Sequence, residues 1–220
     1  NIRNNATAAL YNYTPYTPNA AALDNLYAAV PCGSYGNRNF WVFYTTWFGP
    51  STSEVGQLVV DARYAAEGGP AGWLGAAGAS TCVTSSSARS QRFAKGVIYW
   101  DRGFGAWALT PEYDAVYRTN LGVLGAVASG YIQVTGNPNG NGSGQQFQNG
   151  TIYTSASGTF AVFLDIRAEY SRRGSNPGPL GWPTSAAVCE AQDCTQAFQY
   201  GVISAGPIRG ARVVTGPYLS

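Results

Sequence analysis

The sequence has no histidine and no methionine among its 220 residues, and its only lysine is Lys95. Without an imidazole there can be no Ser–His or Cys–His nucleophile system, no His-ligated zinc and no imidazole general base. Charged residues make up only 11% of the chain, against about 25% in an average soluble domain. Basic residues number 13 and acidic residues 11, a net charge of +2, so nothing here attracts a nucleic acid. No apolar run is long enough to span a membrane. No CxxC spacing supports a metal site, and the glycines of residues 137–144 lack the strand–loop–helix context of a dinucleotide fingerprint. No cofactor is therefore expected.

What is present is apolar and aromatic. Hydrophobic residues reach 45% and aromatic residues 14%, with 15 Tyr, 6 Trp and 28 Gly. A chain of this size buries a substantial core. The 4 cysteines suit an oxidising, extracellular setting. Cys189 and Cys194 would close a small turn, which leaves Cys32 to pair with Cys82; the alternative is a set of buried free thiols. The opening Asn1-Ile2-Arg3 lacks an initiator Met and reads as a processed or excised end.

The most informative feature is internal repetition. Gln91-Arg92-Phe93-Ala94-Lys95-Gly96-Val97-Ile98-Tyr99 is echoed by Gln145-Gln146-Phe147-Gln148-Asn149-Gly150-Thr151-Ile152-Tyr153. It is echoed again by Gln196-Ala197-Phe198-Gln199-Tyr200-Gly201-Val202-Ile203-Ser204. The Phe residues lie 54 and 51 apart, and a degenerate copy begins at Asn39-Phe40. Tyr11, Tyr64, Tyr117 and Tyr170 recur every 53 residues. They close helix-like stretches at 6–11, 59–64, 112–117 and 166–170. Leu74-Gly75, Leu124-Gly125 and Leu180-Gly181 follow three of these tyrosines.

Each unit therefore reads as turn, strand, tight turn, strand and short helix. Gly96 and its counterparts suit a hairpin turn with positive φ. Val97-Ile98-Tyr99-Trp100 has the β-branched and aromatic content of a strand. Return strands are expected at 106–109 and 159–164. Thr110 is a candidate N-cap ahead of Pro111-Glu112. The expected fold is mainly β with short helices, a single repeat domain of about four ~53-residue units. Residues 1–38 form a cap, 39–72 a degenerate repeat, and 73–122, 123–178 and 179–220 the repeats. The N-terminal helix could complete the last unit and close a propeller-like ring of four.

Leu180-Gly181-Trp182-Pro183-Thr184-Ser185, Cys189, Cys194, Gln196-Ala197-Phe198 and Gly201-Val202-Ile203 together resemble the LGFP repeat. The resemblance extends over about residues 70–215, with the Phe-Pro half of the motif replaced by Ala76-Ala77 and Ala126-Val127. Residues 6–48, with Tyr13-Thr14-Pro15 and Cys32-Gly33-Ser34-Tyr35, resemble the segment preceding such repeats in some secreted actinobacterial proteins. The family occurs in tandem in secreted actinobacterial proteins, often appended to cell-wall enzymes. The resemblance implies a secreted, wall-associated, non-catalytic module that binds peptidoglycan or arabinogalactan and anchors a parent protein. It also implies an upstream catalytic domain in a precursor. The alternative is the C-terminal part of a peptidoglycan or other glycan hydrolase using paired carboxylates. A protein-binding module, such as an inhibitor or adhesin, is a third reading.

Glycan binding needs flat rings to stack on sugar faces, beside polar groups that reach the hydroxyls. Trp100, Asp101, Trp107 and Trp182 lie outside the recurrent set and lead the candidates, followed by Tyr153 and Trp73. The recurrent Phe and Tyr read as core. Glu112 and Asp114 open a helix and favour its dipole. Asp165 and Glu169, with Arg172 and Arg173 close by, form a paired or solvated face. No acid pair stands out as catalytic. The glycosylation sequons at Asn5, Asn12, Asn141 and Asn149 carry little weight in so Asn- and Thr-rich a chain.

Overall fold

The computed structural model describes residues 52–82, 88–191, 193–207 and 210–214. The degenerate hairpin at Phe40, the helix at 6–11 and the ring closure built on it lie outside the described residues, as does Cys32 with its expected bridge to Cys82. The chain divides into two compact units, Asn1–Ala106 and Trp107–Ser220. Among the described residues no helix is long and apolar enough to cross a membrane.

The described chain is mainly β. A helix α1 (Thr52–Ala66) and a 3-10 turn (Gly69–Ala71) precede strands β1 (Ala77–Cys82), β2 (Ala88–Phe93), β3 (Gly96–Asp101) and β4 (Gly105–Leu109). Then come α2 (Pro111–Thr119), α3 (Leu121–Leu124), β5 (Ile132–Val134), β6 (Gly142–Gln146), β7 (Gly150–Ser155) and β8 (Gly158–Phe163). Helix α4 (Leu164–Arg172) leads to β9 (Val188–Glu190), β10 (Asp193–Phe198), β11 (Gly201–Ala205) and β12 (Arg212–Val214). The strands form three antiparallel four-stranded meanders, β1 to β4, β5 to β8 and β9 to β12, each in sequence order. None of these sheets closes on itself as a barrel.

The three expected helices and the hairpins at Phe93, Phe147 and Phe198 are all present. Each sheet also has a first strand that the repeat pattern does not announce. The return strand of the second unit ends one residue early, because Leu164 starts α4 with a φ of 51°. The glycines after the hairpins call for a correction. Gly96, Gly150 and Gly201 do not take positive φ; they pair within the sheets as strand residues. Close packing explains the glycine at 150, where a Cβ would run into Leu124 Cδ2 and sit 3.0 Å from the Val162 carbonyl.

Positive φ belongs instead to the Leu-Gly turns, at 71° for Gly75, 69° for Gly125 and 68° for Gly181, a conformation that favours glycine. These turns anchor a buried framework built the same way three times. Tyr64, Tyr117 and Tyr170 donate their hydroxyls to the Gly75, Gly125 and Gly181 carbonyls at 2.7, 3.0 and 2.7 Å. Their rings meet Phe93, Phe147 and Phe198 at centroid distances of 4.5, 5.0 and 4.6 Å. Leu74, Leu124 and Leu180 are fully buried beside them. An aromatic pair of this kind adds about 0.5–1.5 kcal/mol beyond the area it buries.

Two further features tie successive parts of the second compact unit together. The buried Gln145 amide donates to the Ala108 and Ser129 carbonyls at 3.0 and 2.9 Å. Gln196 repeats this on the Ala161 and Ser185 carbonyls, both at 2.9 Å. Each glutamine thus spans from its own turn to the last strand of the preceding sheet. The Asn- and Gly-rich segment ahead of β6 is a latch: Asn139 donates to the Asn176 and Gly178 carbonyls, both at 2.8 Å. Trp182 Nε1 donates to the Gly140 carbonyl at 2.9 Å, and its ring fills the space where a Cβ on Gly142 would lie 2.8 Å away.

Candidate functional site

The six candidate ligand residues separate by burial. Trp182 is 0% and Trp100 5% exposed. Trp100 faces Arg89 across β2 and β3, and Arg89 is buried too. Trp182 lies edge-on to Tyr153 at 5.9 Å. A buried ring has no face to offer a sugar, so both tryptophans are core residues. For Trp182 the non-recurrence goes with the latch it packs into.

Tyr153 is half-buried on β7 and also meets Tyr170 edge-on at 5.6 Å. Burial pushes its phenol up from the ordinary range, with hydrogen bonds to Ser175 and Thr151 opposing. It stays neutral and packs against the hydrophobic core of Val162, Ile166, Leu180 and Phe198. Trp107 is half-buried on β4. Asp101 ends β3, and its Oδ1 accepts the Gly103 amide at 2.7 Å in an Asx turn. The turn also carries the exposed Arg102 and Phe104.

Trp73 is the candidate that meets the requirement most directly. It is 38% exposed, just before the Leu74-Gly75 turn. Its Nε1 donates to Glu67 Oε2 at 2.7 Å, and Glu67 Oε1 lies 3.6 Å from Arg63 Nη1. Arg63 is held from its other side by donating Nε to the Ala106 carbonyl at 3.0 Å. This chain of contacts orients the indole while part of the ring stays open to solvent. Sequence reading named Trp73 but missed Glu67 and Arg63; their signal was the i,i+4 spacing near the end of α1.

Cys189 and Cys194 are bridged, with Sγ atoms 2.04 Å apart, and pair in register across β9 and β10. Residues 132–178 match the family model of the LGFP repeat. That LGFP segment runs from β5 through α4 to the turn before Leu180, and so takes in the second sheet and the tyrosine, Tyr170, of the third framework. No curated protein matches the chain. The LGFP match and the bridged hairpin fit a protein exposed to an oxidising environment.

Proposed function

We propose that this chain is a secreted, non-catalytic module that binds cell-wall glycan, peptidoglycan or arabinogalactan, and holds a parent protein on the wall. The observation that carries this reading is Trp73, a partly open indole fixed by Glu67 and Arg63 on a chain that bears an LGFP repeat. Stacking and hydrogen bonding of this kind suit a sugar ring. Similar units in one chain give avidity without any single strong site.

Two of the described carboxylates are unsuited to act as a glycosidase's general acid. The Thr110 hydroxyl holds the Glu112 carboxyl below its ordinary value, with its own backbone amide assisting. Hydrogen bonds from Arg172, then Arg173, hold Glu169 at about 2. A glycosidase's general acid needs the opposite shift. The test is a pull-down on purified walls with an assay for released sugar. Saturable retention with no soluble sugar is expected; no retention on either polymer overturns the reading, and sugar release favours a hydrolase.

A further inference from the structure

The three frameworks share their buried residues, and at one end of each they hold two residues that are not shared. The amide two positions after the framework Phe donates to the framework Leu carbonyl in every copy. Lys95 to Leu74 is 3.0 Å, Asn149 to Leu124 2.9 Å and Tyr200 to Leu180 3.1 Å. A second bond runs beside it, from Ala94, Gln148 and Gln199 to the Ala76, Ala126 and Trp182 carbonyls at 3.0, 2.8 and 3.0 Å. The hairpin tip is thereby fastened to the Leu-Gly turn, and the residue before the Leu is brought next to the tip residue.

These paired positions read Trp73 with Lys95, Val123 with Asn149, and Pro179 with Tyr200. All are exposed except Val123, which is half-buried. Tyr200 is 54% exposed, a large open area for an aromatic ring with no side-chain hydrogen bond or ring contact among the described residues. Fixed backbone under variable, exposed side chains is the arrangement by which a repeat presents contact residues to a ligand.

We infer that these tip pairs are the glycan-contacting positions, with Trp73 and Lys95 the main site and Tyr200 a second. The indole stacks on a sugar ring and the Lys95 ammonium donates to a neighbouring hydroxyl or carboxylate. Tyr200 gives a ring and a hydroxyl. The Val123 and Asn149 pair has no aromatic ring and contributes least. The inference rests on the glycan-binding reading and places it at particular residues.

The experiment is equilibrium co-sedimentation of the full chain and four variants with purified peptidoglycan and, separately, with arabinogalactan-bearing walls. Thermal unfolding of each variant checks the fold. Trp73→Ala is expected to weaken binding about tenfold, as truncation of an aromatic anchor does. Tyr200→Ala should weaken it about threefold, and Ile132→Ala, an exposed change on β5 away from the tips, should leave it unchanged. Trp73→Phe keeps the ring and should recover most of the loss. If the wild-type chain binds but Trp73→Ala and Tyr200→Ala bind equally well, the tip assignment is wrong while the glycan reading stands. If the wild-type chain binds neither polymer, both fall.

Discussion

The ends of α1 and α4 do the same work with opposite charges. Arg63 precedes Tyr64 where Glu169 precedes Tyr170, and Glu67 stands where Arg173 does. In α1 a cation reaches forward to an acid over 3.6 Å. In α4 an acid is held by two cations, Arg172 at 2.7 Å and Arg173 at 2.6 Å. Yet the tyrosine hydroxyl, the Leu-Gly carbonyl it meets and the Phe ring beneath keep the same geometry in both. The buried framework is what repeats. The ion pairs beside it invert while the framework does not, so the framework's geometry does not depend on which sign comes first.

The largest effect should come from breaking the framework itself. Phe198→Ala empties a site under Tyr170 in the core of the second compact unit, and a destabilisation of about 3–5 kcal/mol is expected from such a truncation. Chemical denaturation followed by hydrogen exchange should place the loss in β10, β11 and α4.

Glu169 separates the charges from the framework. Its carboxyl sits at about 2 when folded, below the ordinary 4.5. Its contribution to stability is therefore present above pH 4.5 and is lost as the pH falls toward about 2. Glu169→Gln should be less stable than wild type at neutral pH, and the gap should narrow through that window in acid melts. A gap constant with pH would show that the residue matters through packing alone.

The smallest effect belongs to Arg63 and Glu67. A double-mutant cycle on the pair should give about 0.3–0.5 kcal/mol, the usual value for an i,i+4 pair of this exposure. A coupling several times larger would mean that the helix-end charges share the framework's role and would erase the contrast.

The framework was legible in the sequence because its tyrosines recur every 53 residues, its Phe recur 54 and 51 apart, and each member needs its own residue type. Tyr supplies a ring and a donor, Leu fills a buried space, and Gly takes positive φ. The first strands were not legible, for a reason of composition. Ala77–Cys82 is built of small residues and β9 is only Val188, Cys189 and Glu190, all exposed. Neither has the apolar alternation that marks a strand. The glycines after the hairpins were visible, but their cause was misread: crowding by Leu124 and Val162 at Gly150, not turn geometry.

The candidate site was only partly legible. Non-recurrence was a sound reason to single out Trp182, but a residue also departs from a repeat when it meets a departure in its neighbour. The latch around Asn139 and Gly140 is that neighbour. Trp73 was found, whereas Lys95 and Tyr200 were passed over because they lie inside the recurrent hairpin motif. Their positions recur while their identities do not, and only the backbone bonds from hairpin tip to Leu carbonyl show that they sit beside Trp73 and Pro179.

The central claim is that the fold lies in the repeated framework and ligand recognition in the tips it carries. The most direct measurement compares wall binding and melting temperature for the triple variant Trp73→Ala, Lys95→Ala, Tyr200→Ala against wild type. The account predicts that binding falls by well over tenfold while the melting temperature moves by no more than about 2 °C. Undiminished binding by the triple variant, or a loss that tracks the melting temperature, would contradict it.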